Sequence, residues 1–376
     1  MQTIVFSSSP PHKLYSAAHD KSSSMATIAS TKPIAHSFYL PDLLSLSTPF
    51  EGAKNPHYER AAAESRAWFA KYAHEIFDGP EQAAFVMGST ELLATNTYPH
   101  AGFEALRTAC DLVTLLFVVD DVSDKQSGKD VRETTGNVYL HALRDADWDD
   151  GSVISRMTKE FRARLVRTCG PRSFARFLQH NIDYIAATAR EAELRVTQTV
   201  LSLHDYRDLR RGNSAVQVCF GLFEYTLGID LPDEVFENEI FKVMYFAAVD
   251  MVCWANDVYS YDHEQSKGKD HTGSNYVTVL MQAYGFSLQE ASSHVGKVYA
   301  ELMHAYLDAK AQLRSYSFGS IQLDADVAKY VNAMEKWPIG NINWSLETRR
   351  YFSKPEEVKR TRLVVLRQQK HEDDGT

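Results

Sequence analysis

An apolar helical run that stops in three carboxylates is the strongest constraint on this chain. From Ala101 to Asp124 the apolar positions Leu106, Cys110, Val113, Leu116 and Phe117 follow steps of three and four, with one step of one. That period predicts a helix of about six turns. It closes on Leu115-Leu116-Phe117-Val118-Val119-Asp120-Asp121-Val122-Ser123-Asp124. Each helical residue advances ~100° and ~1.5 Å, so Asp120 and Asp124 stand one turn apart on one face. Asp121 falls ~60° from Asp124 and ~100° from Asp120 by the same geometry. Carboxylates gathered at the end of a hydrophobic rod suit a hard divalent cation such as Mg²⁺, with waters and substrate phosphates completing its shell. The plain alternative is a helix running out into an acidic loop.

Helical periods recur along most of the chain. Asn55-Pro56 opens a stretch through Trp68 and Tyr72, and Glu81 to Leu93 reads as one helix. Pro99 disfavours helix at Tyr98. Further helices are predicted at 153–168, 173–195 and 197–212, the last interrupted by Arg211-Gly212-Asn213-Ser214. Pro232 starts another pair, the second spanning about 240–266, followed by 272–284, 288–315 and 325–349. No alternating Val/Ile strand and no fixed-period repeat is visible. The expectation is one all-α domain of about ten to twelve helices over residues 37–352. Residues 1–36, rich in Ser, Ala, Thr and His, are expected to be a disordered extension. Residues 353–376 form a charged tail, expected to be partly loose, with a short amphipathic stretch at Leu363–Leu366.

Composition narrows the function classes. The 376 residues are 44% hydrophobic and 24% charged, ordinary for a globular protein with a sizeable core. A net charge of −9 without a Lys/Arg-dense stripe argues against a nucleic-acid partner. Cys110, Cys169, Cys219 and Cys253 show no paired spacing and read as reduced thiols of an intracellular, cytoplasmic protein. No apolar stretch reaches the ~18 residues of a membrane span, and no secretory signal pattern opens the chain. Neither a membrane anchor nor a disulfide framework is expected, and the chain is taken as a monomer or homodimer.

A second polar line lies on another apolar helix. In Val249-Asp250-Met251-Val252-Cys253-Trp254-Ala255-Asn256-Asp257-Val258-Tyr259-Ser260-Tyr261-Asp262-His263-Glu264, residues Asn256, Ser260 and Glu264 are spaced by four. On a helix they climb one face in ~6 Å steps, and Asp257 points ~100° away from Asn256. Amide oxygen, hydroxyl and carboxylate so aligned can bind one hard cation three times. A polar helix face entering solvent shows the same spacing. Two such lines on separate helices are more specific than either alone.

The pair closely resembles the class I terpene synthases, with D-D-x-x-D at 120–124 and N-D-x-x-S-x-x-x-E at 256–264. The stretch from Tyr98-Pro99 through Asp111 is similar to that family's first metal-binding helix. Arg210 stands at the usual place of a pyrophosphate-sensing arginine, and Asn213 and Ser214 match the linker and effector positions beside it. Trp344 and Arg350-Tyr351 match the C-terminal R-Y signature. Leu40-Pro41-Asp42-Leu43 and Asn55-Pro56-His57-Tyr58 resemble fungal, mushroom-type sesquiterpene synthases. The resemblance covers about residues 36–352. One departure is His263, where the family often has lysine; Lys267, nearly a turn after Glu264, is the substitute cation.

The resemblance implies a helical bundle around a central cavity and a Mg²⁺-dependent carbon–oxygen lyase acting on farnesyl diphosphate. It implies three Mg²⁺ ions held by Asp120, Asp124, Asn256, Ser260 and Glu264. Asp120 is the firmest ligand, with Asp121 and Asp124 orienting the site. Arg210, Lys267, Arg350 and Tyr351 would bind diphosphate; Arg210, Asn213 and Ser214 would trigger ionisation. Phe117, Trp344 and Phe85 are the expected cavity aromatics, with Tyr98 and Phe220 weaker candidates. The alternatives are a chain-elongating prenyltransferase, which would want a second aspartate-rich motif, and a non-catalytic helical protein. Asp147-Trp148-Asp149-Asp150 resembles a class II cyclase motif, but it falls in a polar loop and the extra helical domains that house such a motif would not fit in this chain; the loop from Asp145 to Gly151 is similar to an EF-hand loop, but its glycine is at the seventh position and its twelfth residue is Arg156.

Overall fold

The run ending in carboxylates forms the helix Phe103–Ser123. The computed structural model of the chain describes residues 26–27, 36–268 and 272–368. Leu106, Cys110, Val113 and Leu116 are buried, and so are Leu112, Leu115, Val118 and Val119 on the other faces. A helix apolar around its circumference belongs inside a bundle. This one packs against Tyr58–Ala70, Thr90–Thr97 and Val153–Leu165. A second inner helix, Glu239–Lys267, begins where the Asn238 side chain accepts from the backbone N–H groups of Ile240 and Phe241. It packs against Leu288–Leu313, Ile321–Glu347 and Leu203–Asn213. Leu203–Asn213 also packs on Pro171–Val196. The architecture is all-α, as the periodicity predicts, and no helix among the described residues is long and apolar enough to cross a membrane.

Several boundaries differ from the sequence reading. The expected helix over Glu81–Leu93 is two helices, Gly79–Met87 and Thr90–Thr97, because Ser89 takes a left-handed conformation with φ 46°. The helix expected from residue 197 starts at Leu203, where the Ser202 side chain accepts from the Asp205 N–H. Short strands are present where none was expected: Ser37–Tyr39 pairs antiparallel with Leu363–Val365, and Ala26–Thr27 with Thr199–Val200. Phe38 and Val364 are the single inward residues of the first pair. One inward residue per strand is too little alternation to read. The tail expected to be loose is therefore docked as far as Arg367, with Pro355–Thr361 a helix and Leu363–Val365 a strand rather than an amphipathic stretch. The N-terminal extension lies outside the described residues except for Ala26–Thr27 and His36.

The interruption at 211–214 also has a different origin. Gly212 lies inside Leu203–Asn213; the break comes at Ala215, whose φ is 57°. A left-handed backbone costs a non-glycine residue about 1–2 kcal/mol, and such strain persists where the surroundings fix it. Gly212 serves a close approach instead: a Cβ there would meet the Ala187 Cβ at 2.7 Å. Gly212→Ala gains about 1 kcal/mol of helix propensity, but overpacking costs about 1–3 kcal/mol. Ala187 has no rotamer to move away, so the loss dominates. Chemical denaturation is expected to show a net destabilisation of about 1–2 kcal/mol.

Candidate active site

The two inner helices end on one cavity. Its lining includes Asp120, Asp124, Asn256, Ser260 and Glu264 at the polar end, and Val113, Leu116, Phe117, Val252, Trp337 and Trp344 on the apolar wall. The empty space is about 1310 Å³ counted out to its open mouth. The helical phase of Phe103–Ser123 separates the three aspartates. Asp121 turns aside and accepts from Arg350 Nη2 at 3.2 Å. Asp124 accepts from Arg195 Nη1 at 3.2 Å and from Lys267 Nζ at 3.1 Å. The Asp120 carboxylate lines the cavity with no hydrogen bond or ion pair from any described residue.

The second line is internally connected. Ser260 Oγ donates to Glu264 Oε1 at 2.5 Å, and Asn275 Nδ2 donates to Glu264 Oε2 at 2.8 Å. Asn256 Oδ1 accepts from Arg210 Nη2 at 2.7 Å, and its Nδ2 donates to the Tyr351 hydroxyl at 2.7 Å. Asp257 is buried and faces the other way, accepting from Arg210 Nε at 2.8 Å, the Tyr206 hydroxyl at 2.7 Å and the Tyr276 N–H at 3.0 Å. Asn213 lines the cavity beside the break; its Oδ1 accepts from Arg210 Nη1 at 3.2 Å and its Nδ2 donates to Glu191 Oε2 at 2.7 Å. Ser214 and Ala215 line it too.

Cationic and aromatic groups meet near the mouth. The Arg350 guanidinium lies 4.9 Å from the Phe117 ring centroid, and its buried Nε has no hydrogen-bond partner among the described residues. Phe117 and Trp344 meet edge to face at 5.7 Å, and Trp344 meets Tyr351 at 5.6 Å. Phe85 is not in this wall, contrary to expectation. It stacks on Phe69 at 4.7 Å and contacts Phe77 at 5.1 Å, because Gly79–Met87 presents its apolar side to the outer core. Tyr98 and Phe220 are core residues as well: the Tyr98 hydroxyl donates to the Cys219 carbonyl at 2.8 Å, and Phe220 packs on Phe223 and Tyr245. Asp111 is a buried structural carboxylate paired with Arg107 and Arg164 and accepting from Ser65 Oγ at 2.8 Å.

Sequence reasoning passed over Glu191, Arg195 and Asn275. Glu191 and Arg195 both line the cavity from the last turns of Pro171–Val196. Their i, i+4 spacing is that of an ordinary surface ion pair, so only the cavity distinguishes them. Asn275 caps Tyr276–Tyr284, donating nothing to that helix but accepting from the Val277 N–H, and its amide is then free to reach Glu264. A polar N-cap residue before an apolar helix carries no mark of a second task.

Negative charge outweighs its protein partners here. Burial and the nearby Asp124, Asp121 and Glu191 push Asp120 up to about 8. Burial and Asp257 push Glu264 up to about 7. Both lie above the unfolded carboxylate range near 4, so the folded chain holds protons there that the unfolded one has lost; below about pH 6.5 His180 and His263, which desolvation keeps neutral, offset this, and above it the two carboxylates act unopposed up to about pH 8. Stability falls as pH rises through that window. The thermal midpoint in the presence of a chelator is expected to drop between about pH 6.5 and pH 8, and an excess of divalent cation is expected to offset the drop. A midpoint that climbs steadily over that range would refute the charge crowding.

The donor set fits hard cations. Asp120, Asp124 and Glu191 on one side, and Asn256, Ser260 and Glu264 on the other, offer oxygen ligands only. Among the described residues no three His, Cys, Asp or Glu side chains already converge as a ligand cluster. The second line needs only one carboxylate, because amide and hydroxyl oxygens complete it. A cation held there would have to displace the Ser260–Glu264 hydrogen bond.

Comparison with known proteins agrees with this geometry. Residues 111–305 match the family described as "Terpene synthase family 2, C-terminal metal binding". The chain is 50% identical over 337 residues to a Coprinopsis cinerea protein named linoleate 10R-lipoxygenase COP4, covering 89% of this chain and 95% of that one. It is 48% identical to the bifunctional terpene synthase Agr4 of Cyclocybe aegerita, covering 90% and 96%. It is 38% identical to the viridiflorene synthase Agr2 of the same fungus, covering 89% and 87%. The fold is similar to germacradien-4-ol synthase from Streptomyces citricolor, with a TM-score of 0.69 at 23% identity over 79% of this chain and 96% of that one.

Proposed function

This chain belongs to the class I terpene synthases, a carbon–oxygen lyase of the sesquiterpene synthase kind, and from that premise we propose that it ionises farnesyl diphosphate with Mg²⁺, cyclises the cation and releases pyrophosphate. One arrangement carries the reading. Two hard-ligand lines, from helices far apart in the sequence, open on a single cavity whose inner wall is apolar and aromatic. Asp120 and Asp124 on one side, and Asn256, Ser260 and Glu264 on the other, are the residues that would hold the ions, three in all. Mg²⁺ bound there supplies Lewis acidity to the phosphoryl oxygens.

The chain's own residues supply the rest. Arg210, Lys267, Arg350 and Tyr351 bind and orient the diphosphate. The unpartnered buried Nε of Arg350 is a donor awaiting an anion, and arginine's planar fork suits phosphoryl oxygens. Preorganised charge aimed at a leaving anion is usually the largest catalytic contribution. Asn213 and Ser214 aim the carbonyl end of the broken helix toward the cation. Phe117 and Trp344 present ring faces or edges to the cavity; a face stabilises a cation by about 0.5–2 kcal/mol. Val113, Leu116 and Val252 exclude water, which would quench the cation. The free thiols suit a reducing, cytoplasmic setting.

The lipoxygenase name borne by one relative finds no support in this cavity. A non-haem iron oxygenase wants two histidines and a carboxylate, and His263 is the one histidine among the described lining residues. Incubation with Mg²⁺ and farnesyl diphosphate, followed by gas chromatography–mass spectrometry, tests the proposal. C15 hydrocarbons or alcohols with stoichiometric pyrophosphate are expected. Release of neither product would overturn it. Phe117→Leu is expected to redistribute products while leaving pyrophosphate release within about threefold, since it removes only a contact of about 0.5 kcal/mol near the mouth.

A further inference from the structure

The C-terminal strand brings one arginine against the second ligand helix. Leu363–Val365 is held against Ser37–Tyr39 by ladder hydrogen bonds and by the buried Phe38 and Val364. Two residues later, Arg367 meets the helix that bears Asn256. Its backbone N–H donates to Asp262 Oδ1 at 2.7 Å, and its Nε lies 3.1 Å from Asp262 Oδ2. Gln265 Nε2 donates to its carbonyl at 2.8 Å. Nη2 donates to the carbonyl of Tyr351. Nη1 lies 3.1 Å from Nδ1 of His263.

The last contact fixes a tautomer. A guanidinium has donors and no acceptor, so Nδ1 of His263 accepts and the ring proton of a neutral imidazole sits on Nε2. The ring also lies among the cations Lys267, Arg350 and Arg367. A ring that carries its proton on Nε2 and spends its lone pair on Arg367 has nothing to give a metal ion. It can only donate, and an anion is what a donor among three cations faces. His263 lines the cavity together with Ser260, Glu264 and, one helical turn on, Lys267. The same guanidinium grips the Tyr351 backbone, whose hydroxyl already holds Asn256.

We propose that Arg367 is a positioning residue of the diphosphate site: it holds His263 as an Nε2–H donor to a phosphoryl oxygen and locks the Arg350-Tyr351 turn to the motif helix. The inference rests on the function proposed above. Asp262, 4% exposed, is the anchor that orients Arg367. The chain's end, beyond the matched family region, thus contributes to the clamp.

Inorganic pyrophosphate with Mg²⁺ is the probe, measured by isothermal titration calorimetry and by inhibition of turnover. His263→Phe is expected to weaken pyrophosphate binding by about tenfold or more, the loss of one hydrogen bond to a charged group. His263→Gln places an amide donor near the ring Nε2 and is expected to restore binding to within about threefold of the unaltered protein. Arg367→Lys keeps a cation beside Asp262 but cannot reach His263 and Tyr351 together. It is expected to keep the thermal midpoint and to weaken pyrophosphate by about five- to tenfold, with the effect on KM exceeding that on kcat. Unchanged pyrophosphate affinity in His263→Phe or in Arg367→Lys overturns the inference while leaving the proposed function standing. Unaltered protein that binds no pyrophosphate overturns both.

Discussion

Asp120→Asn is expected to lower pyrophosphate release from farnesyl diphosphate by roughly 10²- to 10³-fold, the scale of losing one preorganised electrostatic contact at a leaving group. The far-UV circular dichroism should not change. The reason is the division of labour among the three aspartates. Asp121 is engaged by Arg350, and Asp124 by Arg195 and Lys267. Of the three, Asp120 alone has no ion pair with a described residue; the cation that acts on it is Arg350, already engaged by Asp121. An amide of the same shape fills the same space, and it removes one of several crowded negative charges. The metal-free variant should therefore be no less stable, while the stabilisation gained from Mg²⁺ and pyrophosphate together should disappear from its thermal midpoint. Asp121→Asn is the contrast: it releases Arg350 without touching the cavity-facing carboxylate, and a milder loss is expected. Turnover retained in Asp120→Asn would remove the metal assignment from that residue.

How much of this was legible in the sequence depends on what kind of interaction holds each residue. The two motif helices were legible because an apolar helical stripe and a polar i, i+4 line are both periodic, and periodicity survives in one dimension. Their boundaries near Asp120 and Glu264 follow from that alone. Phe117 and Trp344 line the cavity, yet Phe85 has the same apolar surroundings in sequence and sits in the outer core. Whether an aromatic ring meets a cavity or another ring is decided by packing between helices, which no local pattern encodes. The sequence puts the helix break at Arg211-Gly212-Asn213-Ser214, but the close approach to Ala187 is what needs the glycine, and Ala215 takes the strained backbone. Arg195 and Arg367 were invisible for a related reason. Each is one charged residue among many until a tertiary contact gives it a partner: Asp124 for the first, Asp262, His263 and Tyr351 for the second.

Arg210 is the residue where structure and chemistry are hardest to separate, and three variants separate them. Its guanidinium spans Asp257, Asn213 and Asn256 at 2.8, 3.2 and 2.7 Å, so it joins the broken helix to the second ligand line. Asp257 is only 1% exposed. Removing the arginine alone strands that carboxylate, and breaking a buried pair this way costs about 3–5 kcal/mol. Arg210→Met should therefore lose stability and turnover together, which by itself says nothing about catalysis. Arg210→Met combined with Asp257→Asn removes both charges. The amide can still accept from Tyr206, and most of the lost stability should return in chemical denaturation. Turnover should not return, because no donor then reaches the diphosphate from the helix break. Arg210→Lys is the third arm. It keeps a charge for Asp257 but lacks the fork that reaches Asn213 and Asn256, so a loss of about 10²-fold in kcat/KM is expected with a stability change of about 1 kcal/mol. If the double variant regained turnover along with stability, Arg210 would be a structural ion-pair partner only, and the link from diphosphate to the strained Ala215 turn would have to run through another residue.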